Sequence, residues 1–197
     1  PRRRDDPLKT RKMNSGPFSE LPYFSVDEID ILCAEELSAV GLMPASPEPI
    51  RIDRFIEKRW GHPHEYAQLP DGILGLTQFG AKGVHRIVLS EELEQDQSRS
   101  SERRIRTTLA HEAGHGLLHA YLFVLNQRQH TFGDWSDKDR PKVLCREHGS
   151  VAPGKPEPWE YQANMVMGGD TASEAFGSSG GCAPPGPDKR ARATNAQ

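Results

Sequence analysis

The chain has 197 residues, of which 35% are hydrophobic and 27% charged, with 16 Pro and 18 Gly; at the usual ~100 to 200 residues per domain, that is one compact domain with loose ends. Its net charge of −3 lacks the positive excess that a phosphate backbone demands, so direct nucleic-acid binding is not expected. No stretch reaches the ~18 apolar residues of a membrane-spanning helix, and the three widely spaced cysteines, Cys33, Cys145 and Cys182, do not form a paired disulfide framework; a soluble, cytoplasmic protein is expected.

Residues 1–20 mix charge, Gly and Pro without periodicity and read as a flexible lead, with no apolar stretch of the kind a secretion signal needs. Ile29, Leu32, Cys33, Leu37 and Val40 then recur at helical spacing, with Ser25 as N-cap, Glu28 three residues on, and Gly41 as the stop. Past a Pro-rich joint, Ile52, Phe55, Ile56 and Trp60 predict a short helix ended by Gly61 and Pro63, and His62 and His64 are turn residues. From Gly72 to Ser90 two apolar runs flank Gly80-Ala81-Lys82-Gly83 and read as two antiparallel strands and a turn. Residues 91–101 read as a loop, and Ser101 as the cap of a long helix from Glu102 to Gln127.

Residues 130–158 are polar and breaker-rich, a long functional loop or insertion, in which Cys145 and His148 lack the further pair a structural zinc site needs. A last helix is expected from Pro158 through Met167, broken by Gly168-Gly169. The domain proper is placed at 21–170, and residues 171–197, dominated by Ser, Gly, Pro and Ala, as a disordered tail. The fold class is α+β.

The chemistry lies in the long helix. His111-Glu112-Ala113-Gly114-His115 is an H-E-x-x-H motif whose imidazoles lie about 40° apart, one turn along, so both reach one ion. Glu112 sits about 100° round, off the ligand face but able to act on a bound water as general base. A catalytic zinc keeps three protein ligands and an open position. A third His six residues after the second is absent, since Tyr121 stands there, so the third ligand comes from elsewhere. Glu160, with Asn164 one turn later, is the best candidate, although a carboxylate at a helix start is also favoured by the helix dipole alone. His119 drifts a further 40° and fits a role behind the ligands better than ligation. The charges at Glu102, Arg103, Arg104 and Arg106 are read as a solvated face.

The segments Arg106-Thr107-Thr108-Leu109-Ala110-His111-Glu112-Ala113-Gly114-His115-Gly116-Leu117-Leu118-His119 and Trp159-Glu160-Tyr161-Gln162-Ala163-Asn164 resemble the ImmA/IrrE-type metallopeptidases, in which a leucine-rich H-E-x-x-H helix is followed by a helix carrying E-x-x-A-N. The resemblance extends over about residues 25–170. It implies a zincin-like domain with a small antiparallel sheet, Zn2+ held by His111, His115 and Glu160, and Glu112 as the catalytic base, with His119, Asn164 and Tyr161 as supporting residues. It also implies an endopeptidase acting on a regulatory protein, such as a helix-turn-helix repressor or an antitoxin, in stress or mobile-element control. The sequence departs from the family after Asn164, where Met165-Val166-Met167-Gly168-Gly169-Asp170 replaces a longer apolar continuation. His119, Tyr121, Tyr161 or a residue of the 130–158 loop would supply a donor to the developing oxyanion. The rival reading is a zinc-binding sensor or protein-interaction module of the same fold without turnover.

Overall fold

The computed structural model describes residues 9–13, 18–46, 48–96, 98–129, 142–146 and 158–168. The expected 171–197 tail, Cys182, His148 and the remainder of the 130–158 loop lie outside the described residues. Part of the expected lead is structured: β1 (Thr10–Lys12) pairs antiparallel with β2 (Glu20–Pro22), and Leu21 is buried. Short polar strands of this kind carry no period long enough to be read from sequence.

The Ser25 cap is present in full. Its hydroxyl accepts the Glu28 N–H at 3.3 Å while its own N–H donates to Glu28 Oε2 at 2.8 Å, a capping box that starts α1 (Val26–Ala39). Ile29, Cys33 and Leu37, four residues apart, form the buried stripe of α1. Helix α2 (Ile52–Trp60) buries Ile52, Phe55 and Ile56 and ends at Gly61, whose φ of 82° is the left-handed cap that only glycine takes without strain. Arg59 pairs with Glu36, and Lys58 Nζ donates to Val40 O at 3.0 Å, tying α2 to the end of α1.

The expected hairpin is β4 (Ile73–Gly80) and β5 (Gly83–Ser90), antiparallel with a bulge between Gln78 and Phe79. It forms the middle of a four-stranded sheet of order β3-β5-β4-β6, in which β3 is Glu65–Ala67 and β6 is Lys142–Arg146. The sheet is mixed, not wholly antiparallel, because β3 joins β5 in parallel while β6 joins β4 antiparallel. Strand β6 falls within the segment expected to be a loop.

The expected loop 91–101 contains a one-turn-plus helix, α3 (Glu91–Gln95), and the long helix α4 begins earlier than expected, at Arg99, and runs to Gln129. The cap is Ser98, whose hydroxyl accepts the Ser101 N–H at 3.1 Å; Ser101 instead donates to Leu93 O at 2.7 Å, pinning α3 onto α4. Two serines three residues apart offer the same local signal, and the tertiary bond to α3 decides between them. Helix α5 (Pro158–Gly168) starts at its proline as expected. Leu109, Ala110 and Ala113 of α4 meet Phe55, Ile56, Ile87 and Leu89 in the main core, so α4 lies across β4 and β5 with α2 beside it. Helix α5 packs along α4. The architecture is mixed α+β, and no helix among the described residues is long and apolar enough to cross a membrane.

Candidate metal centre

The centre forms where α4 and α5 touch. Gly114 is what lets them close: a Cβ there would lie 3.0 Å from Ala163 O and 3.2 Å from Ala163 Cα, so the two backbones are nearly in contact. That approach brings Glu160 over the His111–His115 pair. Glu160 Oε2 lies 3.1 Å from His111 Nε2, and Glu160 Oε1 lies 3.6 Å from His115 Nε2. The two Nε2 atoms are 2.9 Å apart. With zinc–ligand bonds of about 2.0 to 2.2 Å, tetrahedral donors stand roughly 3.3 to 3.5 Å from one another, so the observed 2.9 to 3.6 Å bracket what one ion requires. His111, His115 and Glu160 are also the one group of potential ligands among the described residues that converges in this way.

Asn164 Oδ1 lies 2.9 Å from His111 Nδ1, and an amide oxygen only accepts, so His111 carries its hydrogen on Nδ1 and turns the Nε2 lone pair toward Glu160. A carboxylate and an imidazole lone pair facing each other across about 3 Å repel unless a proton or a metal ion lies between them.

Burial alone would depress the His111 pKa, but the hydrogen bond with Glu160 and the charges of Glu112 and Glu160 outweigh it and raise the value above 6.5. For Glu160 burial pulls upward, and the bonds with His111 and His115 overcome it, holding the carboxyl at about 2. His115 is lowered by burial, which its bond with Glu160 does not offset, and by the adjacent His111 charge. His119 is pushed down to about 3 by burial and by His115. Either a proton shared between His111 and Glu160 or a divalent cation would fill the gap.

Glu112 is fully buried beside the cluster. Thr77 of β4 donates to Glu112 Oε2 at 2.6 Å and lies 3.0 Å from the Glu112 carbonyl oxygen, so the sheet under α4 orients this side chain. Sequence reading missed Thr77, since nothing in a strand pattern says which residue lies beneath a helix 35 positions away. It also missed Gln162, whose Oε1 is 3.2 Å from His119 Nε2, and Trp159, whose ring stands edge-on to His115 at 5.9 Å.

Of the supporting residues expected, Asn164 and His119 reach the cluster; Tyr161 does not, being 53% exposed with no hydrogen bond among the described residues. His119 is no ligand: its Nδ1 meets His115 Nδ1 at 3.0 Å, and both ring nitrogens are engaged, which also removes it as an oxyanion donor. The Tyr121 hydroxyl is buried without a hydrogen-bond partner among the described residues, and burial raises its pKa to about 12. Among the three potential ligands Glu160, with 27% of its side chain exposed, is the open side, since His111 and His115 are buried. No protein-family model, no curated protein and no solved structure matches this chain, so its functional reading rests on the site itself.

Proposed function

We propose that this chain is a zinc-dependent endopeptidase of zincin-like fold, acting in the cytoplasm on a regulatory protein such as a helix-turn-helix repressor or an antitoxin, as its resemblance to ImmA/IrrE-type enzymes implies. The observation that carries the reading is the convergence of two imidazole nitrogens and a carboxylate beside a buried glutamate. Two His and one Glu are a donor set of catalytic zinc, leaving the fourth position open for water and substrate.

Bound zinc would polarise the scissile carbonyl and acidify the attacking water. His111, His115 and Glu160 would hold it, and the bonds of Asn164 to His111 and of His119 to His115 fix the direction of the two imidazole lone pairs. Glu112 takes a proton from the attacking water and passes it to the leaving amine. Thr77 holds the Glu112 carboxylate at Oε2 through this cycle. Substrate approaches past Glu160, the exposed edge of the centre.

The test is metal content first. Purified protein is expected to hold one zinc, lost in His115→Ala and in Glu160→Ala, because removal of one of three ligands sharply weakens a site. Stoichiometric manganese in place of zinc would keep the site and change the metal. A protein that binds no divalent metal would sink the reading. Glu112→Gln should keep zinc and abolish chelator-sensitive cleavage of a repressor or antitoxin substrate, and retained cleavage would refute the role of the base. Zinc binding without any such cleavage by the parent protein would favour the sensor alternative.

A further inference from the structure

We infer that His119 and Gln162 are positioning residues, forming with the Pro22 carbonyl a hydrogen-bond relay that fixes the tautomer of His115. The inference rests on the reading of His111, His115 and Glu160 as a metal centre. Its starting point is the far end of the chain of contacts. A carbonyl oxygen can only accept, so Gln162 Nε2 donates to Pro22 O, at 2.8 Å. That orients the amide, and its Oε1 faces His119 Nε2 at 3.2 Å. An amide oxygen also only accepts, so His119 carries its hydrogen on Nε2.

The ring nitrogens of His119 meet only Gln162 and His115 among the described residues, and no carboxylate is hydrogen-bonded to it. It is wholly buried, so it is neutral and its Nδ1 is a lone pair. His115 Nδ1, 3.0 Å away, must then be the N–H, which leaves His115 Nε2 as a lone pair on the side of His111 and Glu160. With Asn164 acting in the same way on His111, both imidazoles aim lone pairs at one point. Trp159, edge-on to His115 and tilted against His119 at 6.3 Å, keeps the two rings from turning.

Without the relay His115 is free to carry its hydrogen on Nε2, pointing an N–H at the cation. Partners behind a metal-bound histidine are typically worth about 10 to 100-fold in metal affinity. The relay crosses 140 positions of sequence, so the N-terminal hairpin β1–β2 is part of the metal centre although it contributes no ligand.

The experiment uses the full chain labelled with 15N-histidine. Two-bond 1H–15N correlations of the metal-free protein near pH 8 are expected to show His115 protonated on Nδ1 and His119 on Nε2. Zinc affinity, read by competition with a chromogenic chelator, should fall about 10 to 100-fold in His119→Leu. His119→Gln, whose amide supplies both the acceptor and the donor, should stay nearer the parent than His119→Leu. A role in packing alone predicts no such rescue and no particular tautomer. His115 protonated on Nε2 in a parent that binds zinc overturns the relay alone, as does parental affinity in a folded His119→Leu. No zinc uptake by the parent overturns the metal centre itself.

Discussion

Replacing Thr77 with Val tests whether the sheet holds Glu112, the proposed general base. Thr77 and Glu112 are both fully buried, and the hydroxyl lies 2.6 Å from Glu112 Oε2. Valine exchanges the hydroxyl for a methyl group of similar size, so almost no cavity forms, and the loss is that of the hydrogen bond. A bond to a charged acceptor contributes about 1.5 to 3 kcal/mol, and the stranded carboxylate oxygen stays out of reach of water. Urea denaturation should therefore show stability lower by about 2 kcal/mol at unchanged m-value, with Tm lower by roughly 4 to 8 °C. Zinc stoichiometry should not change, because Thr77 is not a ligand. The decisive arm is a double-mutant cycle with Glu112→Met, in which the cost of Thr77→Val should shrink by about 1 kcal/mol or more. A single-mutant loss below about 0.5 kcal/mol, or no coupling in the cycle, would refute the contact and with it the orientation of Glu112 by the sheet.

Three further outcomes are expected. Gly116→Ala places a Cβ 2.6 Å from Trp60 Cζ2 and 2.9 Å from Val84 Cγ2, so overpacking of about 1 to 3 kcal/mol should outweigh the ~1 kcal/mol gained in helix propensity, lowering the urea midpoint; a stabilised variant would show that α2 and α4 pack more loosely than described. Cys33 is buried, and desolvation together with Asp30 and Glu36 raises its thiol to about 12, so a thiol reagent at pH 8 should leave it unmodified in native protein and modify it on unfolding; rapid native labelling of Cys33 would contradict its burial. Zinc affinity should weaken with acid. Glu160, held at about 2, stays ionised, but His111, its pKa raised above 6.5, must release a proton to the incoming metal, so affinity falls by up to about tenfold per pH unit below that pKa and levels off above it. Calorimetric titrations that find no proton release at pH 6 would contradict this.

What was legible in the sequence was whatever is written in local pattern. The capping box at Ser25 and Glu28, the glycine stop at Gly61, the hairpin around Gly80–Gly83 and the proline start of α5 each need only neighbouring residues to be read. The two histidines of the candidate metal centre were legible for a related reason, because the helix period alone puts His111 and His115 on one face. Glu160, with Asn164 one turn later, was the best carboxylate candidate from its place at the helix start and was reinforced by the family resemblance, and the structure brings both to the cluster. What was not legible is long-range. Strands β3 and β6 are short and are stabilised by β5 and β4; the start of α4 is decided by Ser101 reaching Leu93 O; Thr77, Gln162 and Pro22 acquire their roles only where distant elements meet.

That difference bears on how far the motif can be read. Five residues in the pattern H-E-x-x-H occur by chance, and chance places two histidines on one face of a helix with nothing arranged around them. It does not supply an amide oxygen from 53 positions away that fixes the proton of His111, nor a neutral His119 that does the same for His115. Nor does it supply a carboxylate facing both Nε2 atoms, brought into place by a helix–helix approach that Gly114 permits. Buried polar groups that neither pair with one another nor reach water are costly, and here each hydrogen bond turns a lone pair toward the same point instead of satisfying it. One proton on His111 relieves part of that concentration of negative potential; His115, whose pKa is lowered, is not relieved in this way. A divalent cation would satisfy all three donors at once, so bound zinc is expected to stabilise the α4–α5 contact, and thermal melts with and without a chelator should differ even where none of the three residues has been altered.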